Sequence, residues 1–201
     1  MSHAPTAQAR YSTDLVVLDL EASSPDPDAN DIQRSNIIEV GAVRVDGRSF
    51  EVKDAFSELV RPRDIPIEPF ITELTGISPE MVAECGTFEA VGRRFVEWYG
   101  PRNRSILAAW GVYYDVPLLR KECRAFGIDF RRHFVGGAMD VRTVALVWLA
   151  QHRIGTTGVT IERTLEKMGL GALGLNFHRA LDDARAAAAI LQVAHLGEAR
   201  L

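Results

Sequence analysis

Cysteine is nearly absent from this chain. The two that occur among 201 residues, Cys85 and Cys123, stand far apart and without ligand-type spacing. That excludes a disulfide framework and a cysteine-built zinc site, and fits ordinary thiols in a reduced, intracellular setting. Long hydrophobic runs are missing too: no stretch approaches the roughly eighteen consecutive apolar residues of a membrane helix. Residues 1–13 carry neither the apolar block nor the basic lead of a signal peptide and read as a flexible N-terminal arm. These absences predict a cytoplasmic protein with no membrane partner. Positive charge is not in excess either. A formal net charge of -4 argues against coating nucleic acid through bulk charge, which requires many phosphates to be neutralised. It does not exclude an enzyme that gathers carboxylates at its centre. Local basic groups do occur, at Arg93 and Arg94, Arg102 and Arg104, Arg120 with Lys121 and Arg124, and Arg131 and Arg132; the plain reading of any one is a solvated helix face. Internal repeats and a dividing linker are also lacking, so 201 residues with 47% hydrophobic content make one domain over 14–201.

What is present begins with an unbroken apolar run, Leu15 to Leu18, the pattern of a strand buried on both faces. Ile37 to Val45 is strand-like and ends at Asp46-Gly47, a strong hairpin signal, after which Phe50 to Val60 reads as a third strand. Turns and short helical pieces follow from Pro66 to Met81. Thr87 then caps a segment, FEAVGRRFVEWYG, with apolar residues at helical spacing. Ser105 to Trp110 predicts a fourth strand, broken by Gly111 before a helix from about Asp115 to Phe126. Ala138 to Val141 predicts a short fifth strand, with helices through Leu149, over Thr160–Met168 and over Arg179–His195. Strands first, then strands alternating with helices, indicate an α/β fold: a mixed sheet with helices packed on it.

Asp19 and Glu21, in VVLDLEAS, are two apart on a strand and therefore project from one face. Near a core, unpaired carboxylates cost several kcal/mol or take up a proton, whereas a hard divalent cation keeps both ionised. The pair alone is equally compatible with a strand that has ended in water. Asp115 sits where an apolar strand gives way to a helix, a common place for functional groups in open sheets, and Asp is also a frequent N-cap, with Pro117 suited to a first helical turn. Asp182 and Asp183 lie where a helix dipole favours negative charge. His178, just before them, is by itself an ordinary loop histidine.

Together these residues resemble the DnaQ-like, or DEDDh, family of 3′-to-5′ exonucleases. That family carries DxE on its first strand, an Asp after the fourth, and H-x4-D on a late helix. Here these are DLE (Asp19, Glu21), YYDVPLL (Asp115) and HRALDDA (His178, Asp183); the spacing selects Asp183 over Asp182. The likeness extends to IIEVGAV and TELTGIS and spans Asp14 to Leu191. The polar insert after DLEAS, the words ITELTGI and HRALDDA, and Trp110-Gly111 resemble the branch of 3′ histone-mRNA exonucleases and KapD-like proteins. This chain departs from the pattern in having Ala22 and Ser23 where family members often have Thr, and in the five positions between Trp110 and Asp115.

The resemblance implies an RNase H-like fold of about five strands flanked by helices. It implies two ions of Mg2+ or Mn2+ held by Asp19, Glu21, Asp115 and Asp183, with His178 as the base for the attacking water, and nucleoside 5′-monophosphates as products. It also implies that backbone groups at Leu20 and Ala22 hold the terminal nucleotide while Leu74 wedges under its base. The expected partner is the 3′ end of a nucleic acid, single-stranded RNA or an RNA tail ahead of DNA. The alternatives are a DNA-directed proofreading or repair exonuclease and a catalytically silent nucleic-acid-binding module.

Overall fold

The computed structural model describes residues 11–26, 31–134, 137–171 and 173–197. Five strands, β1 (Asp14–Ser23), β2 (Asn36–Val45), β3 (Val52–Leu59), β4 (Ser105–Ala109) and β5 (Ala138–Asp140), form one sheet in the order β3-β2-β1-β4-β5. β1 is central, antiparallel to β2 and parallel to β4, which is parallel to β5. The helices are α1 (Pro69–Thr75), α2 (Pro79–Ala83), α3 (Phe88–Tyr99), α4 (Val112–Ala125), α5 (Phe130–His133), α6 (Val141–Gln151), α7 (Ile161–Lys167) and α8 (Ala180–Leu196). This is the mixed sheet flanked by helices expected from the sequence. No helix among the described residues is long and apolar enough to cross a membrane.

The alternation of side chains along β1 sorts the core into two layers. Leu15 and Val17 pack with Val43, Val45 and the alanine face of α8, while Val16, Leu18 and Leu20 pack with α3 and α4 through Val91, Phe95, Leu118 and Leu119. Both layers are dry, and each fully buried Leu or Val contributes about 1.5–3 kcal/mol. A smaller cluster of Ile38, Ile67, Ile71, Ile77 and Val82 seats α1 and α2. The strand buried on both faces is therefore a rigid platform, and whatever stands at its C-terminal end is held firmly.

Three details differ from the sequence reading. Residues 1–10 of the expected arm lie outside the described residues, and Tyr11 is part of the folded body. Its N–H donates to the Gly47 carbonyl at 2.7 Å, its ring meets Phe50 edge-on, and its hydroxyl lies 3.1 Å from His195 Nε2. The helix expected near Asp115 starts at Val112 with Gly111 as N-cap, so Asp115 is a first-turn residue and Pro117 lies beyond that turn. Gly111 stops β4, and the Tyr114 N–H already reaches the Gly111 carbonyl at 2.9 Å, which closes the turn three residues early. The short α5 had no sequence signal strong enough to predict it; Asp129 caps it by accepting from the Arg131 and Arg132 amides.

Candidate active site

Strand parity places Asp19 and Glu21 on the same face as Leu15 and Val17, the one α8 covers. Their register partners on β2 are Gly41 opposite Asp19 and Glu39 opposite Glu21, with an irregularity at Glu21/Ala22. Gly41 lets α8 approach: a Cβ there would stand 2.1 Å from the backbone carbon of Ala180 and the nitrogen of Leu181. Glu39, 1% exposed, completes the contact. Its Oε1 accepts from Arg179 Nη2 at 2.7 Å, and its Oε2 accepts from Arg179 Nε at 3.1 Å and from the Ala180 N–H at 2.9 Å. No side chain of the Arg179 N-cap position caps α8, so an acid on the sheet satisfies a helix-end donor that local sequence leaves open.

The seating of α8 on β2 brings Asp183 to the acidic pair. Asp19, Glu21 and Asp183 each present a carboxylate oxygen, all within 4.8 Å of one another. Asp115 stands outside this trio. It arrives from the opposite layer on α4 and is 6% exposed. Burial, followed by the charges of Asp115, Glu21 and Asp183, holds Asp19 well above the usual carboxylate range. Burial and the neighbouring acids push Glu21 up to about 8, against a lowering by Arg179. Burial pushes Asp115 up to about 7, and Asp183 to about 6 despite the backbone hydrogen bond from His178.

Four acids that oppose one another's ionisation constitute a site that lacks countercharge. Asp183 Oδ2 accepts the His178 N–H at 3.1 Å, but its Oδ1 is buried without a hydrogen-bond partner. A hard divalent cation ligated by oxygen would satisfy that atom and the surplus charge together, so the donor set fits such an ion.

His178 stands at the rim with φ +62°, a left-handed backbone that disfavours any residue with a Cβ. It lines a cleft of about 410 Å³ with Asp19, Asp183, Trp110, Tyr113 and Arg142. Asp182, one residue away, faces elsewhere: it accepts from the Asn176 N–H at 3.0 Å and pairs with Arg185 at 3.2 Å. Leu20 is in the core, so only its backbone can meet a ligand, while Leu74 is 51% exposed on α1. Ala22 packs against the same core layer as Leu20.

Sequence reasoning named neither Glu39 nor Gly41 as site residues, although an acid within the otherwise apolar IIEVGAV was the signal. It likewise passed over Arg142 and the 64%-exposed Tyr113, for which nothing in the sequence indicated a common cleft.

The family model described as Exonuclease, RNase T type, matches residues 16–191. The chain is 32% identical over 178 residues to the PolC-type DNA polymerase III of Thermotoga maritima, covering 88% of this chain and 11% of that protein. It is 31% identical over 127 residues to human ERI1 exoribonuclease 3, covering 60% of this chain and 37% of that one. The chain thus spans about a tenth of the polymerase it matches. In fold it is similar to the nuclease domain of 3′hExo, a DEDDh family member solved with rAMP, with TM-score 0.74, 21% identity and 98% of each chain covered.

Proposed function

The chain belongs to this exonuclease family, of the DnaQ-like DEDDh kind, and from that premise we propose that it is a 3′-to-5′ exonuclease dependent on two divalent cations that releases nucleoside 5′-monophosphates. The observation that carries the proposal is the convergence of Asp19, Glu21 and Asp183 within 4.8 Å, with Asp115 and His178 beside them. Asp19, Glu21, Asp183 and Asp115 would hold Mg2+ or Mn2+. When bound, such ions lower the pKa of water and stabilise the leaving 3′ oxygen. His178, at the mouth of the cleft, takes the proton of the attacking water, a task to which imidazole is suited near neutral pH. The Leu20 and Ala22 backbone and the exposed Leu74 would hold the terminal nucleotide, and Tyr113 offers a ring to a base.

RNA is the favoured substrate. The support is the likeness to human ERI1 exoribonuclease 3 and the resemblance of the insert and of TELTGI to an RNA-processing branch. A DNA-directed activity is the second reading, favoured by the likeness to a DNA polymerase III over 88% of this chain. The complete set of acids speaks against a silent binding module. The exonuclease domain is assigned to residues 14–201, together with the docked Tyr11. Two free thiols, Cys85 and Cys123, suit a reducing compartment, and the cytoplasm is the location we infer.

Matched 5′-labelled RNA and DNA oligomers, incubated with Mg2+ or Mn2+ under identical salt, test both parts. Stepwise shortening from the 3′ end that stops in EDTA is expected, with the higher kcat/KM for RNA. Shortening that continues in excess EDTA, or that begins at the 5′ end, would overturn the mechanism. A kcat/KM for DNA at or above that for RNA would overturn only the substrate assignment.

A further inference from the structure

A second concavity lies along α4 and shares no lining residue with the His178 cleft. It is a groove of about 510 Å³ between α4 and the single 3-10 turn at Ile32–Arg34, lined by Gln33, Pro117, Arg120, Lys121 and Arg124. Among the described residues no carboxylate lines it. Lys121 is anchored in it, donating to the Ser35 carbonyl and pairing with the buried Glu122 at 3.2 Å. Arg120 lies over the Phe130 ring, 4.9 Å from its centroid. Both arginines are exposed, and among the described residues neither has a carboxylate within ion-pair distance.

The groove adjoins the acids. Asp115 stands in the first turn of α4, the helix that carries Pro117, Arg120, Lys121 and Arg124 along the groove. Along α4, Arg120 and Arg124 follow Asp115 by roughly 8 and 14 Å of helix rise. The His178 cleft differs in charge: among the described residues Arg142 is the one Arg or Lys lining it, against Asp19, Glu162 and Asp183. A solvated helix face would explain scattered arginines. It does not explain a concave groove whose charged lining, among the described residues, is Arg120, Lys121 and Arg124, on a chain of net charge -4.

We propose that the groove between α4 and the 32–34 turn binds the sugar-phosphate backbone of the strand upstream of the 3′ terminal nucleotides, through Arg120, Arg124 and Lys121. The proposal deepens the exonuclease reading and rests on it for the identity of the polyanion. The groove supplies affinity that grows with strand length and takes no part in the chemistry, since its cations lie beyond reach of the scissile bond.

The test pairs wild type with the double variant Arg120→Gln/Arg124→Gln and with the charge reversal Arg124→Glu, both at exposed positions, each checked for an unchanged melting temperature. Fluorescence anisotropy in EDTA, where nothing is cleaved, follows a labelled single strand of about 20 nucleotides, for which two lost phosphate contacts predict about tenfold weaker binding and a salt slope shallower by roughly 1.4. Hydrolysis of a dinucleotide, whose one phosphodiester is the scissile bond, is expected to be unchanged. Unweakened binding of the long strand with an unaltered salt slope overturns the groove, as does an equal loss on the dinucleotide. A wild type that hydrolyses neither substrate overturns the exonuclease reading instead, and anisotropy still judges the groove.

Discussion

His178 is placed by its backbone as much as by its neighbours. At φ +62° a side chain costs about 1–2 kcal/mol relative to glycine, a cost of the kind found at functional positions. Two variants separate the imidazole's chemistry from this strain. His178→Ala and His178→Gly should both lower kcat by about 10² to 10⁴ with little change in KM, while the glycine variant is the more stable of the two by about 1 kcal/mol. Single-turnover rates and urea melts of the pair check this, and an alanine variant as stable as the glycine one would count against the strain. Asp19→Asn should abolish turnover in a folded protein, because Asp19 sits at the electrostatic centre of the acids. Asp182→Asn, whose carboxylate serves Asn176 and Arg185, should leave kcat nearly untouched. An Asp182 variant as inactive as Asp183→Asn, both folded, would show that the H-x4-D spacing assigned the wrong acid.

At the scale of elements, the site depends on one strand-helix junction. α8 lies directly on β2 where Gly41 offers no side chain, and Glu39 fastens its first turn. Gly41→Ala must therefore displace α8, at about 1–3 kcal/mol for overpacking. Because it moves Asp183 and His178 together, it should also reduce kcat by up to about 10². Gly155→Ala, where an added Cβ meets nothing within 4 Å, is the control and should change neither quantity. Chemical denaturation alongside steady-state kinetics checks both; a Gly41→Ala protein with wild-type activity would show that the junction does not position the acids.

The same junction shows what the sequence could and could not disclose. Periodicity sufficed for β1 and α8, because a strand buried on both faces and an alanine-rich helix each leave a continuous pattern. The acids were ambiguous one by one and were named as a set through the resemblance of DLE, YYD and H-x4-D to a family pattern; the structure brings Asp19, Glu21 and Asp183 together. That Glu39 caps a helix 141 residues later is a tertiary contact, and no local pattern encodes it. Asp115 was assigned to the right junction but to the wrong position in it, because the turn that Gly111 opens is set by hydrogen bonding rather than by hydrophobic spacing.

For the whole molecule, the raised acids couple stability to pH and metal. Without metal, Glu21 at about 8, Asp115 at about 7 and Asp183 at about 6 hold protons in the folded state that the unfolded chain releases near the ordinary carboxylate pKa of about 4. The folded state binds more protons across that window. This contribution is therefore fully present below about pH 4 and is lost as pH rises through about 6 to 8. Mg2+ or Mn2+, as proposed above, would bind the ionised folded form and should restore stability, with a gain that grows as pH rises. Thermal melts at pH 5 and pH 8, in EDTA and in excess Mn2+, are expected to show the largest metal-induced rise in Tm at pH 8. A larger rise at pH 5 would contradict the assignment of these acids as ligands.

The docking of Tyr11 against Phe50 and His195 also bears on how such a unit can be used within a longer polypeptide. Tyr11 precedes β1 and His195 lies in the last turn of α8, so the backbone enters and leaves this body at neighbouring points. Those points lie at the start of β1, roughly 15–25 Å of strand away from Asp19 and Glu21. A body whose entry and exit are adjacent can be inserted into a host chain with little loop-closure entropy and without remodelling the host. The acids then stand at the far end of β1 from both joins, and the chain's match occupies 11% of a PolC-type polymerase. Portability of this kind is a property of the Tyr11 clasp rather than of the catalytic residues.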